Sequence, residues 1–259
     1  LLVARDMTEE ERLQAEAIRA SQLASLGELA AGVAHEINNP INGILNYAQM
    51  LADLDLEKAG KDITHQIIAE SRRIENIVRN LLDFSRHSVV DNPEPVNLQE
   101  LLLSCVDLVK HQLQKEEILV ETHFSPSLPL AFCNGSQIKQ VILNTISNSR
   151  YALNQKFKKG DSRKKISLKT SLIDRRNTPF LRIAITDFGT GIEPHILEKV
   201  FDPFYSTKPN GEGTGLGLSI SYGLVRDNGG YIRISSERDQ FTTIKLDLPV
   251  VGGASHGKL

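Results

Sequence analysis

Leu23, Leu26, Ala30, Val33, Ile37, Ile41, Leu45, Ala48 and Leu51 follow one another at spacings of 3 and 4, which draws one apolar stripe along a helix. The helical pattern runs from about Glu9 to about Leu54, and Pro40 inside it removes a backbone donor, so a bend is expected there. After a turn around Asp55 to Gly60, Ile63, Ile67, Ile74, Ile77, Leu81 and Phe84 repeat the spacing, with Glu70 interrupting the seam. Two amphipathic helices joined by a short turn form an antiparallel hairpin that cannot bury both stripes alone. A second copy of the chain would cover them, giving a dimeric four-helix bundle.

The pattern changes at Asp91-Asn92-Pro93-Glu94-Pro95, a polar, helix-breaking stretch that marks a domain boundary. Beyond it, Leu98 to about Leu113 reads as a helix, Ile118 to Phe124 as a strand and Gln137 to Leu153 as a helix. Strands follow at Ile166 to Ile173 and Leu181 to Asp187, a helix near Leu216 to Asp227, and closing strands near Tyr231 to Ser235 and Phe241 to Leu248. Helices packed on one face of a mainly antiparallel sheet satisfy this order. The fold class is therefore multidomain, α followed by α+β.

Composition narrows the function classes. With 259 residues, 40% hydrophobic and 24% charged, the chain is an ordinary globular protein of one or two domains. A formal net charge of -2 gives no reason to expect nucleic-acid binding. Lys156, Lys158, Lys159, Arg163, Lys164 and Lys165 crowd one loop, which we read as solvated, since Phe157 is the one aromatic residue among them. Cys105 and Cys133 lack metal-ligand or redox spacing and are expected to be reduced, buried thiols. No apolar run approaches the roughly 18 residues that span a bilayer. A cytoplasmic setting without membrane contact is the expectation for this stretch of chain.

The candidate chemistry begins at His35-Glu36-Ile37-Asn38-Asn39-Pro40. His35 lies two residues past Val33, roughly 200° around the helix from the apolar stripe, so it faces outward, with Asn39 on the same face. Four further motifs lie downstream. Asn144 and Asn148 place two carboxamides one turn apart on a helix, and neutral oxygens suit Mg²⁺ that is otherwise held by phosphates and water. Asp187-Phe188-Gly189-Thr190-Gly191 follows a strand, offering a carboxylate to an exocyclic amine beside glycines that allow close backbone approach. Phe201-Asp202-Pro203-Phe204-Tyr205-Ser206-Thr207-Lys208 combines aromatic anchors with a cation. Gly211-Glu212-Gly213-Thr214-Gly215-Leu216-Gly217-Leu218 opens a helix whose free N–H groups suit phosphate.

In that order the motifs resemble the catalytic core of the two-component sensor histidine kinases: an H box at His35, an N box at Asn144 to Asn148, a G1 box at Asp187 to Gly191, an F box at Phe201 to Phe204 and a G2 box at Gly213 to Gly217. The resemblance extends from about Ser21 to Leu248, and Leu26 to Gly32 with Asn39-Pro40 is most similar to the nitrogen-regulation and PAS-linked branch. Leu1 to Glu9 resembles the exit of a PAS sensor domain, with Asp6 or Thr8 as helix cap. The sequence departs from the family pattern at Phe188, where a polar residue is common, at Asn134, which can still cap a helix, and at Tyr151, where some members carry a lysine beside Arg150.

The resemblance implies a signal-transmitting helix at 1–20, a dimerisation and phosphotransfer hairpin at 21–90, a linker at 91–97, a Bergerat-type ATP-binding α/β sandwich at 98–250 and a tail at 251–259. It implies ATP as phosphoryl donor, Mg²⁺ held by Asn148 with Asn144 in support, and adenine selection by Asp187. Arg150, Tyr151, Gly189, Gly191, Ile192, Phe201, Phe204, Lys208, Gly213, Thr214, Gly215, Leu216 and Gly217 complete the implied nucleotide-binding set. His35 is the implied phosphoacceptor, Glu36 a general base or an orienting group, and Asn39 a positioner of water in dephosphorylation. A homodimer and a response-regulator receiver domain are the implied partners. An ATPase of the gyrase type, or a nucleotide-bound but inert signalling scaffold, is the alternative.

Overall fold

The computed structural model of the chain describes residues 37, 41–53, 60–68, 71, 74, 92–175, 177–203, 205–208 and 215–251. Two compact units emerge, Leu1–Val90 with Ser206–Leu216 and Asp91–Tyr205 with Gly217–Leu259. The second unit thus begins before Leu98 and is interrupted at the segment bearing Lys208.

In the first unit, α1 (residues 41–52) and α2 (residues 60–68) are the described helical stretches, and Ile37, Ser71 and Ile74 are helical as well. Ile41 and Ala48 are buried, as their stripe predicts. On the following helix the expectation shifts by one position. Thr64, Ile68 and Ser71 are buried, whereas Ile63, Ile67 and Ile74 are 59%, 37% and 39% exposed. Two helices enclose only a narrow seam, so the wider apolar face is left to solvent in a single chain. His35, Glu36, Asn39, Pro40 and the turn at 54–59 lie outside the described residues.

The second unit is built on a five-stranded sheet in the order β2-β4-β5-β7-β6. Its strands are β2 (Leu119–Phe124), β4 (Lys165–Arg175), β5 (Thr178–Asp187), β6 (Tyr231–Glu237) and β7 (Phe241–Pro249). β2 runs parallel to β4 and the other pairs are antiparallel. Alternate residues, Ile166 and Leu168, Leu181, Ile183 and Ile185, and Ile244, Leu246 and Leu248, are buried, the period-2 signature of a sheet with one covered face. The long helices are α3 (Leu98–Lys115), α4 (Gly135–Lys156) and α6 (Gly217–Asp227). Each contributes an apolar stripe, among them Leu102 and Cys105, Ile138, Ile142 and Ile146, and Ile220 and Leu224.

Residues Glu94–Val96, within the stretch expected to be a linker, form β1. It pairs antiparallel with β3 (Ala131–Cys133), Glu94 opposite Cys133 and Val96 opposite Ala131. Pro95 is tolerated because this two-stranded sheet consists of edges. Asn134 caps α4 by accepting from the N–H groups of Ser136 and Gln137 at 3.0 and 3.1 Å, as the sequence predicts. The helix runs three residues past its predicted end, so Lys156 is its last residue. A short helix, α5 (Pro194–Leu197), follows the G1 segment.

Candidate functional site

Asp187 ends β5 and is 4% exposed. Its carboxylate accepts from the Ser149 hydroxyl at 2.9 Å and from the Gly189 N–H at 3.0 Å. Burial pushes the carboxyl up to about 6, against the lowering effects of those two donors and of the Lys156 charge. A carboxylate desolvated at a strand end and only partly compensated marks this position as a candidate binding site.

The glycines of this loop are dictated by contact. A Cβ on Gly189 would lie 2.6 Å from the Ala152 Cβ, and on Gly191, whose φ is +65°, 2.1 Å from the Glu237 carbonyl oxygen. The loop is therefore pressed between α4 and the β6–β7 turn. That turn is tied to it by Asp239 N–H donating to the Thr190 carbonyl at 2.7 Å, and Ile192 N–H donates to the Ser236 hydroxyl at 2.8 Å.

On α4, Asn144 and Asn148 are half-buried. Asn144 Nδ2 reaches the Gly217 carbonyl at 3.4 Å, joining the N-box helix to the first residue of α6. Tyr151 is half-buried on the same helix. Phe201 packs on Tyr222 of α6 with ring centroids 5.5 Å apart. In the segment grouped with the first unit, Lys208 N–H donates to the Ser206 hydroxyl at 3.2 Å, Gly215 has φ +70° and Leu216 is buried. Phe204, Gly213 and Thr214 lie outside the described residues.

Arg150 is engaged within the fold. Its Nε and Nη2 donate to both oxygens of Glu116 at 2.9 and 2.5 Å. Burial raises the Glu116 carboxyl, but hydrogen bonds from Arg150, Gln112 and Asn154 and the Arg150 charge outweigh it and hold it down at about 2. This guanidinium clamps α4 to the end of α3 rather than waiting for a phosphate. The basic loop is likewise less solvated than its composition suggests. Lys164 is 2% exposed and donates to the Glu116 carbonyl at 2.7 Å, Lys165 pairs with Glu121 at 3.1 Å, and Lys156 donates to three carbonyls around the G1 loop.

Ser149, Ala152 and Lys156 were not among the predicted site residues. Their spacing of 3 and 4 on the helix bearing Asn148 is the signal that could have found them. Among the described residues no three of His, Cys, Asp and Glu cluster to hold a metal ion.

Residues 133–252 match the histidine kinase-, DNA gyrase B- and HSP90-like ATPase family, and residues 25–88 the His Kinase A phosphoacceptor domain. The sensory histidine kinase/phosphatase NtrB of Vibrio alginolyticus is 31% identical over 257 residues, covering 97% of this chain and 70% of that protein. Sensor kinase CckA of Brucella abortus is 31% identical over 258 residues, covering 94% of the chain. The chain spans 26% to 53% of the length of the first curated relatives it matches. A crystal structure of histidine kinase ThkA in complex with the response regulator TrrA has a TM-score of 0.61 at 28% identity, over 95% of this chain and 68% of that one. With a phosphoacceptor domain followed by an ATPase-type domain, and this likeness over nearly its whole length, the chain belongs to the two-component sensor histidine kinases.

Proposed function

We propose that the chain transfers the γ-phosphoryl group of ATP to His35 and passes it on to an aspartate of a response regulator. The observation that carries the nucleotide half is the desolvated Asp187 carboxylate, followed by two glycines that admit no side chain. Its oxygens suit the exocyclic amine of adenine. Guanine offers a carbonyl there, and two opposed acceptors cost about 1 to 3 kcal/mol. Gly189, Gly191 and Ile192 shape the loop, Asn144, Asn148 and Tyr151 lie along α4, and Phe201 and Phe204 join the set by resemblance. Lys208, Gly213, Thr214, Gly215, Leu216 and Gly217 join the nucleotide-binding set by resemblance, with phosphate as the group they would meet. Asn148, supported by Asn144, would hold Mg²⁺, which supplies charge neutralisation at the phosphates.

The phosphotransfer half is supported by the match of residues 25–88 to the phosphoacceptor family. One ring nitrogen of His35 attacks the γ-phosphorus, and Glu36 takes the proton from the other nitrogen or orients the ring. Asn39 positions water for removal of phosphate from the regulator, an activity that the name of the NtrB relative also carries. The exposed Ile63, Ile67 and Ile74 support a homodimeric bundle, with the hairpin at 21–90 as its dimerisation element. Among the described residues no helix is long and apolar enough to cross a membrane.

Incubation with ATP labelled at the γ-position tests the proposal. Acid-labile, alkali-stable label that vanishes in His35→Ala is expected. Label that persists in the variant overturns the assignment, and rapid turnover of ATP without a phosphoenzyme points to a gyrase-type ATPase instead.

A further inference from the structure

Lys156 ends α4 with its ammonium at 2.9 Å from the Phe188 carbonyl, 3.0 Å from the Gly189 carbonyl and 2.6 Å from the Asp239 carbonyl. An ammonium has three donors, so these three acceptors can use it fully. None is a carboxylate. The charge is therefore held in place by backbone dipoles rather than neutralised by an ion pair.

One of those acceptors belongs to a peptide unit that also touches the site. The plane joining Phe188 to Gly189 receives Lys156 at its oxygen and presents its N–H to Asp187 Oδ1 at 3.0 Å. A peptide unit is rigid, so fixing its oxygen fixes the direction of its N–H. Hydrogen bonds in such a chain also polarise one another. The third contact, to Asp239, joins the same ammonium to the β6–β7 turn, whose own N–H donates to Thr190. Loop, turn and helix end are thus pinned at one atom.

We propose that Lys156 is a positioning residue for nucleotide recognition: its ammonium sets the Phe188–Gly189 peptide so that Asp187 is held oriented and ionised toward adenine. The inference rests on the reading of Asp187 as the adenine acceptor. The groups that face Asp187 are the Ser149 hydroxyl and Lys156 from α4 and the Gly189 N–H from its own loop. Its cross-strand neighbours, Ile166 of β4 and Thr242 of β7, are uncharged. Lys165 of β4 lies over the Phe188 ring at 5.2 Å. Removal of the Lys156 charge therefore favours the neutral acid at Asp187 and frees the peptide to rotate.

The test is calorimetric titration of ADP into the full chain and into Lys156→Met, Lys156→Arg and Asp187→Asn, across the pH range on both sides of about 6, where Asp187 titrates. Thermal unfolding of each variant runs in parallel. Lys156→Met is expected to weaken ADP binding roughly tenfold near neutral pH, one oriented hydrogen bond to a charged group being worth that much. Its acid limb is expected to move to higher pH, while Lys156→Arg, which keeps the charge, holds the limb near that of the unsubstituted chain. Binding by Lys156→Met that matches the unsubstituted chain at every pH, while Asp187→Asn binds weakly, overturns this inference and leaves the site reading intact. A loss equal at all pH values in both lysine variants, with lowered thermal stability, reveals a structural role only and also overturns it. If Asp187→Asn binds ADP normally, the adenine reading itself fails.

Discussion

Replacing Asp187 by Asn should make the protein more stable while abolishing adenine selection. Asp187 titrates at about 6 in the folded chain against a reference value of 3.8. The difference, 6 minus 3.8, is about 2.2 units, and at about 1.36 kcal/mol per unit the buried charge costs about 3 kcal/mol when fully ionised. The folded state holds its proton more tightly than the unfolded chain does, so this group lowers stability as pH rises from about 4 to about 6, and the penalty is complete above that. A neutral amide escapes it, and because the value of about 6 already includes the bonds from Ser149 and Gly189, the net gain near neutral pH is up to about 3 kcal/mol. The assay is denaturant unfolding of both proteins at a series of pH values, read as the difference between them, in which every other titrating group cancels. The stability of the variant relative to the unsubstituted chain should climb by about 3 kcal/mol from acid to neutral pH and then level off. A difference that is flat, or that falls with rising pH, refutes the assignment of Asp187 as a desolvated carboxylate.

Two further outcomes follow from the packing around the site. Arg150→Met should cost about 1 to 3 kcal/mol of stability, measured by denaturant unfolding, while leaving ADP affinity unchanged, because the arginine serves Glu116. Since the Glu116 carboxyl is held down at about 2, this contribution is present above its reference value of 4.5 and is lost as pH falls toward about 2. Gly191→Ala puts a methyl against the Glu237 carbonyl at a φ of +65°, which should cost about 3 kcal/mol or more and eliminate ADP binding by calorimetry. Normal ADP affinity in the glycine variant would sink the view that loop and turn are in forced contact.

The order of long elements in the second unit was legible because each carries enough residues to display a period. The strand at Leu181 to Asp187 alternates cleanly, and the helix around Asn144 repeats its apolar positions over several turns. β1 and β3 have three residues each, too few to show alternation, and two prolines made the first read as a linker. On the helix after Gly60, Thr64, Ile68 and Ser71 are buried within the single chain while the isoleucine row at 63, 67 and 74 is exposed, because isoleucine spacing alone does not say which row is covered within one chain. The motif residues were legible as chemistry, but their partners were not. Asp187 meets Ser149 across 38 residues and Lys156 meets Asp239 across 83, pairings that only the closed sheet creates. Composition misled at Lys164, read as part of a solvated loop yet 2% exposed, since a cation in sequence gives no sign of whether it will face solvent or a helix end.

The strand order has a consequence for how the site comes into being during synthesis. β7 is the last of the described strands along the chain, yet it lies between β5 and β6 in the sheet. The turn that grips the Asp187 loop is the one leading into β7, so a chain lacking it carries Asp187 and its glycines without the contacts that hold them. Long-range closure of this kind is slow, because chain entropy is lost before the contacts reward it. Ordering of the Asp187 loop therefore waits on a long-range step, the seating of β7 between β5 and β6.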